Sequence, residues 1–304
     1  MIVRDRPSVW QLFVIYRLSI LRQIVWQVLS VAAFSAWVVA ASQRWPATFR
    51  SFSVAPFTLL GIALSIFLGF RNSACYERWW EARRQLGALI GVQRSLARLT
   101  RQTAPDSDQA LAENAILHQI AYTYSLMAHL RDQPTPAEAA AYALPPPASA
   151  VTLRNLPDSM LQQLAAVYAS MMRRGNFGEM LYCRFDERLT ELAAIQVACE
   201  RIKGTPTPFT YTLLLHRTAY AFCFLLPFGL AQTFHYGTIL FCSLVAYAFF
   251  GLDTLGDDLQ EPFGNGLNAL PLSAMARTVE ISLLQILGRT PLPLPLQPID
   301  SILR

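Results

Sequence analysis

The segment FTLLGIALSIFLGFRNSACYERWWEARR, from Phe57 to Arg84, decides the fold. Its first half is as apolar as a membrane span, and its second half is rich in arginine, glutamate and tryptophan. No proline or loop signal separates the two halves where they meet at Phe70 and Arg71. The sequence therefore predicts one helix that leaves a lipid environment and continues into a cytoplasmic layer of protein.

The composition also indicates a membrane protein. The chain has 304 residues, of which 53% are hydrophobic and 15% are charged, whereas soluble domains carry about 25% charged residues. A membrane-spanning helix needs roughly 20 apolar residues. The runs that approach this length are Ile24–Ala41, Pro56–Phe70, Thr210–Ala231 and Gly237–Leu252. We therefore predict an all-α membrane protein with four transmembrane helices in each protomer.

The basic residues predict the orientation in the membrane. The formal net charge is +5, and Lys203 is the only lysine among the basic residues. The arginines flank apolar runs instead of covering one face of a soluble domain, which argues against a nucleic-acid partner. They cluster before the first run and after the second, at Arg4, Arg6, Arg17, Arg22 and throughout Arg71–Arg101. The positive-inside rule then predicts a plasma (inner) membrane protein with both termini in the cytoplasm.

The region between the second and third runs is too long for a loop. A helical apolar stripe within Ala110–Asp132 predicts one cytosolic helix, and two more are expected to end near Arg174 and Arg201. Prolines break the connector between them, and the Leu-Pro-rich end of the chain predicts an extended tail on a neighbouring subunit. The expected organisation is 1–70 with the first two spans, 71–208 cytosolic, 209–252 with the last two spans, 253–288 cytosolic and 289–304 as tail.

Two stripes run along the helix of the opening segment. A bulky apolar stripe recurs every four residues at Ile62, Ile66 and Phe70, and a small-residue stripe beside it contains Gly61, Ser65 and Gly69. In a ring of identical helices, the small residues permit close packing against a neighbour. The bulky residues then face the axis and form a dry constriction for ions. The alternative is an ordinary core or lipid-facing stripe.

Three blocks of this sequence resemble the bestrophin family. The opening segment is similar to the family signature, and ERIKGTPTPFTYTLLLHR (Glu200–Arg217) and GLDTLGDDLQEPFGNGLNALPL (Gly251–Leu272) are similar to two later blocks in the same order. The resemblance implies a homopentameric ion channel with one axial pore and a cytosolic helical bundle. It also implies a pore neck at Ile62, Ile66 and Phe70 and a second, cytosolic constriction, for which Met180 is the candidate. The alternative for Met180 is ordinary helix packing.

The chain resembles animal bestrophins, which bind calcium through a run of acidic residues just after the Pro-Phe-Gly motif. In this sequence, the stretch after that motif departs from the animal pattern. Here Asn265 and Asn268 follow Gly264, and no acid occurs before Glu280. Calcium requires six to eight oxygen ligands and usually several carboxylates. We therefore predict no calcium clasp, no other metal site and no cofactor.

Acidic residues precede that motif, at Asp253, Asp257, Asp258 and Glu261. They either line a vestibule that concentrates cations or pair with the arginines of Arg71–Arg101. Together with the resemblance to bacterial-type members, they favour conduction of monovalent cations such as sodium. An anion (chloride) channel of the same architecture is the alternative.

Enzyme activity is not predicted. The four histidines are scattered, and the sequence has no hydrolase, zinc-protease or phosphate-loop motif. The five cysteines form no C-x-x-C pair, which favours small buried or lipid-facing residues. His216 lies in the third apolar run near its predicted cytoplasmic end, where an ionisable residue is a functional candidate. The alternatives are a side chain that snorkels to the membrane interface and a buried ion pair. A non-conducting membrane scaffold or regulatory subunit is the remaining alternative.

Overall fold

The computed structural model describes residues 1–3, 19–49, 53–145 and 155–303. Arg4, Arg6 and Arg17, which contribute to the predicted orientation, lie outside the described residues, as does part of the proline-rich connector. The described chain forms the α-helices α1 (Leu21–Arg44), α2 (Pro46–Phe49), α3 (Ala55–Thr103), α4 (Gln109–Leu130), α5 (Ala137–Ala140), α6 (Leu156–Arg173), α7 (Glu179–Gly204), α8 (Phe209–Phe234), α9 (Gly237–Gln260) and α10 (Leu272–Ile286). Within these ranges it forms isolated β-bridges and no named strand.

Four helices, α1, α3, α8 and α9, are long and apolar enough to cross a membrane. Their shared core contains Ile24, Leu64, Phe222 and Phe250, all buried. Helices α3 and α8 approach closely at Gly229, where a Cβ atom would lie 2.5 Å from the ring of Phe57. A residue larger than glycine would force these helices apart, so this position sets how closely the second and third candidate spans pack.

The helix predicted across the opening segment is continuous and longer than the segment itself. Helix α3 has 49 residues, which corresponds to about 74 Å at 1.5 Å per residue. It begins with Pro56 in its first turn, a position that proline favours, and ends at Thr103, two residues before Pro105. One helix therefore belongs to both the apolar layer and a second bundle of helices.

This second bundle, which the sequence predicts to be cytosolic and which we call the helical bundle, is built from the distal half of α3 with α4, α6, α7 and α10. Its core includes Leu86, Tyr122 and Leu192, and the rings of Tyr168 and Phe185 stack at 4.4 Å between centroids. The apolar stripe predicted for α4 is buried, which confirms that helix; its members are Ile116, Ile120, Leu126 and Leu130. Most other residues between His118 and Ala128 are buried as well, so the stripe predicts the helix but does not single out one buried face.

His118 joins the connector to the bundle. Its Nε2 lies 3.1 Å from the Met160 carbonyl oxygen, and its Nδ1 accepts a hydrogen bond from the Leu144 backbone N–H at 2.8 Å. This pairing requires the neutral imidazole with its proton on Nε2. Burial lowers the pKa of His118, which favours the same neutral form.

The C-terminal tail is extended and returns to the start of the chain. Arg289 pairs with Glu113 of α4 at 2.5 Å. Farther along, the amino group of Met1 donates to the Leu303 carbonyl at 2.7 Å, and the Val3 N–H donates to the Ser301 carbonyl at 2.9 Å. The tail therefore contacts its own protomer, and the expected contact with a neighbouring subunit stays a prediction.

Candidate functional site

The three predicted neck residues project from the outer face of α3. Ile62, Ile66 and Phe70 are 55%, 51% and 64% exposed. On the inner face of the same turns, Leu64 and Leu68 are 2% and 0% exposed. From Ile62 to Phe70 the exposed stripe is about 12 Å long. The protomer leaves this apolar stripe without a partner, as a pore-lining stripe requires, and its role as the neck stays a prediction.

The small-residue stripe is divided between two environments. A Cβ atom on Gly61 would lie 3.0 Å from the Phe222 ring of α8, so Gly61 serves a contact within the protomer. Ser65 is exposed and its hydroxyl donates to the Gly61 carbonyl at 2.8 Å. Open space surrounds Gly69. Of the three stripe residues, Ser65 and Gly69 remain accessible to a neighbouring subunit, and their contact with one stays a prediction.

Met180 lies in the first turn of α7 and is 88% exposed. It therefore packs little against its own protomer. The alternative of ordinary helix packing would instead place it against other side chains of that protomer. Its assignment to a second constriction stays a prediction that depends on neighbouring subunits.

An ionic cluster, buried at Arg71 and Asp253 and about half exposed at Asp257 and His216, begins one residue after the predicted neck. Arg71 is 1% exposed, and its Nη1 donates to the Asp253 carboxylate at 2.6 Å and to the Asp253 carbonyl at 3.0 Å. Its Nη2 donates to the Asp257 carboxylate. The second oxygen of Asp253 lies 2.5 Å from Nδ1 of His216. We call Arg71, Asp253, Asp257 and His216 the ion cluster, which joins α3, α8 and α9.

The four acids predicted as a vestibule set have different surroundings. Asp253 is 2% exposed and faces the interior, and Asp257 shares Arg71 with it. Both therefore occupy the ion pairs that the sequence left as the alternative. Asp258 accepts a hydrogen bond from the Asn268 amide at 3.1 Å, and Glu261 is exposed.

The loop after α9 is held by polar contacts to its backbone. The Asn268 carbonyl accepts a hydrogen bond from the Trp79 indole at 2.9 Å, and Arg131 donates to the carbonyls of Phe263 and Leu270 at 3.3 and 3.2 Å. Among the described residues, no group of three or more His, Cys, Asp or Glu side chains is positioned to hold a metal ion. The expectation that this loop has no calcium clasp stays a prediction.

Arg78 ties the C-terminal ends of two helices to α3. Its guanidinium donates to the Ile202 carbonyl, to the Thr205 carbonyl at 2.7 Å and to the Gln260 carbonyl at 2.8 Å. These carbonyls lie at or just beyond the ends of α7 and α9, where helices leave acceptors unsatisfied. Arg78 thereby fixes α3 to both layers of the molecule at one point.

Two polar features of the bundle were not found from the sequence. A buried chain of hydrogen bonds links Gln93 to Thr123 at 3.0 Å, and Tyr168 to both Gln119 and Thr100 at 3.3 and 2.8 Å. A separate cavity of about 240 Å³ lies between α4, α10 and the tail, lined in part by Tyr124, Glu280 and Leu296. Their members are far apart in sequence, and no local motif marks them.

Comparisons with known proteins agree with this architecture. The family model described as bacterial/fungal bestrophin protein matches residues 1–285. A voltage-dependent anion channel-forming protein of Mesorhizobium japonicum is 40% identical over 291 residues, covering 96% of this chain and 94% of that protein. The voltage-dependent anion channel-forming protein YneE of Escherichia coli is 37% identical over 299 residues, covering 98% of each chain.

The structural comparison gives the same result. The crystal structure of a bacterial bestrophin homologue from Klebsiella pneumoniae matches with a TM-score of 0.82 and 35% identity, covering 88% of this chain and 100% of that one. The resemblance inferred from the sequence blocks is confirmed, and so is the prediction that the protein is not an enzyme. This chain belongs to the bacterial and fungal bestrophin family of membrane ion channels.

Proposed function

We propose that five copies of this chain surround one axial pore and conduct monovalent ions through a neck lined by Ile62, Ile66 and Phe70. The observation that carries this proposal is the exposed apolar stripe on α3, whose opposite face is firmly packed at Leu64 and Leu68. A ring of such stripes makes a dry constriction, and narrow apolar constrictions control ion flow through their wetting.

The proposed membrane is the plasma (inner) membrane, with both termini and the helical bundle in the cytoplasm. Its support is the distribution of arginine: Arg22 flanks the start of α1, and the distal half of α3 carries Arg78, Arg83 and Arg84. The loop between α8 and α9 has His235 as its only titratable base. This asymmetry follows the positive-inside rule.

Cation conduction is supported by the acids at the cytosolic end of α9. Asp257, Asp258 and Glu261 are exposed or partly exposed, and carboxylates near a pore entrance raise the local concentration of cations. Asp253 does not contribute to this effect, because it is buried against Arg71.

Anion conduction is supported by the names of the relatives. The Mesorhizobium japonicum and Escherichia coli proteins are both called voltage-dependent anion channel-forming proteins. In addition, the ion pairs at Asp253 and Asp257 reduce the acidic charge available to attract cations. The proposed neck carries no charged side chain, so it favours neither sign.

The deciding experiment is the reversal potential of the purified protein in a planar bilayer under a several-fold NaCl gradient. Reversal near the sodium equilibrium potential assigns a cation channel, and reversal near the chloride potential assigns an anion channel. Absence of current after confirmed insertion would contradict the channel proposal and favour the scaffold alternative. Cross-linking of the purified protein should give a ladder that ends at five subunits.

A further inference from the structure

The cavity of about 240 Å³ in the helical bundle has walls from four parts of the chain. They are α4, the segment that follows α4, α10 and, at Leu296, the C-terminal tail. Because these parts are distant in sequence, the space is a product of the tertiary fold. We call it the bundle cavity.

Polar side chains converge on the α10 wall of the bundle cavity. Glu280 is 6% exposed, and its carboxylate accepts hydrogen bonds from the hydroxyls of Tyr124 at 2.7 Å and Tyr142 at 3.3 Å. Burial raises the pKa of both tyrosines, which keeps them neutral donors. The Nε of Arg277 lies 3.2 Å from the same carboxylate. The charge of Glu280 is therefore balanced within the protein.

Arg277 has more donors than these contacts use. A guanidinium carries five N–H groups in a planar fork, and the described partners of Arg277 are Glu280 and Tyr124. Its buried Nε makes no hydrogen bond of good geometry to the described residues. An arginine with donors to spare binds a planar anion such as a carboxylate through two parallel hydrogen bonds.

The charges on the cavity wall also favour an anion. Among the described lining residues, the charged side chains are Arg131, Arg277 and Glu280. An incoming anion meets two guanidiniums and one carboxylate that is already balanced, whereas an incoming cation meets the same two guanidiniums as repulsive charges. The electrostatic preference of the described lining is therefore for negative charge.

The remaining wall sets the size and the apolar character of the ligand. It is mostly apolar and includes Met127, Leu272, Ala276 and Leu296. A volume of about 240 Å³ corresponds to roughly eight water molecules at about 30 Å³ each. A ligand of about eight non-hydrogen atoms with one charged end and one apolar end fits this space.

We propose that the bundle cavity is a binding site for a short-chain aliphatic carboxylate. The ligand carboxylate accepts hydrogen bonds from the Arg277 guanidinium, and its alkyl chain contacts Leu272 and Leu296. The site lies in the helical bundle and not at the proposed neck, so the inference does not depend on the channel proposal.

The first test is calorimetric titration of the purified protein with propionate, butyrate, pentanoate and hexanoate, each corrected for a detergent blank. A buried methylene contributes about 0.8 kcal/mol, so affinity should rise about fourfold with each added carbon. Hexylamine and hexanol match the chain of hexanoate but lack its charge. Both should bind at least about tenfold more weakly, because neither accepts two charge-assisted hydrogen bonds from arginine.

The second test uses variants of the cavity wall. Arg277→Gln should weaken hexanoate binding about tenfold or more. The matched control is Arg98→Gln, an exposed arginine of α3 outside the lining, which should retain wild-type affinity. Ala276→Leu fills part of the cavity without changing its charge and should also weaken binding. Thermal unfolding without ligand shows which variants remain folded, and Arg277, at 26% side-chain exposure, is the better tolerated site.

Three outcomes would overturn the inference. The first is the absence of saturable hexanoate binding to the folded wild-type protein. The second is equal hexanoate affinity in wild type and Arg277→Gln. The third is an affinity that keeps rising from hexanoate to dodecanoate, because such a ligand exceeds the cavity and binds the membrane-facing surface or the micelle. Loss of channel current has no bearing on any of these measurements.

Discussion

Replacement of Ile66 by alanine tests whether the exposed stripe of α3 forms the neck. Ile66 is 51% exposed in the protomer. Full burial of such a side chain is worth about 2 kcal/mol, so roughly 1 kcal/mol belongs to the exposed half. We expect the barrier to hydrated ions in the neck to fall by about that amount, which corresponds to about a fivefold increase in single-channel current.

The same arithmetic predicts a modest effect of Ile66→Ala on stability. Loss of a fully buried Ile or Leu side chain costs about 2–5 kcal/mol, and a half-exposed one costs correspondingly less. Leu64→Ala is the matched control, because Leu64 lies on the same helix, two residues earlier, and is 2% exposed. It should lower the thermal stability of the purified protein more than Ile66→Ala does and leave the single-channel current unchanged.

Single-channel recording and thermal unfolding of both variants provide the measurements. The reasoning is refuted by an unchanged current in Ile66→Ala in a protein that still assembles. An equal increase of current in Leu64→Ala would also refute it, because the effect would then follow from loosened packing and not from the direction of the side chain.

Three other predictions concern the helical bundle and the loop after α9. Burial lowers the pKa of His118 below its unfolded value of about 6.5. The contribution of His118 to stability is therefore fully present above about pH 6.5 and is lost as the pH falls towards the folded-state pKa. The melting temperature should fall between about pH 7.5 and about pH 5, and it should fall less in His118→Gln. Arg78→Ala removes the donor that three helix-end carbonyls share and should destabilise the protein by about 2–4 kcal/mol, measured by thermal unfolding, whereas Arg84→Ala, an exposed residue of the same helix, should have little effect. Channel current should persist in a calcium chelator, since the loop after Gly264 has asparagines in place of an acidic run; abolition of the current by the chelator and its return with micromolar calcium would contradict this.

The helices that were predicted have a strong local signal. Four apolar runs identified the candidate spans, and a helical stripe of apolar residues identified α4. The sequence analysis predicted α3 only as far as Arg84. The first proline after Pro56 is Pro105, and the helix ends two residues before it. The boundary was therefore available from the sequence, but charged residues beyond the apolar run obscured it.

The surroundings of individual site residues were not predictable to the same extent. Gly61 and Gly69 have the same spacing and the same predicted role, yet one meets Phe222 and the other faces open space. The crossing of α3 and α8 decides this difference, and crossing angles are not encoded in a four-residue period. Likewise, a buried ion pair was one of the alternatives to a functional role for His216, but its partner Asp253 could not be named without the packing of α8 on α9.

Because α3 is long, the contacts made by Arg71 and Arg78 act on the same helix as the exposed stripe. The exposed stripe, Arg71, Arg78 and Leu86 of the helical-bundle core all belong to one unbroken helix. Within it, Arg71 joins α3 to α9 through side chains, and Arg78 joins α3 to the ends of α7 and α9 through backbone carbonyls. Two fixed points about two helical turns apart resist both rotation and tilt. A change in the helical bundle can therefore reach the stripe through α3 itself and through α9, to which α3 is joined by the ion cluster and by Arg78.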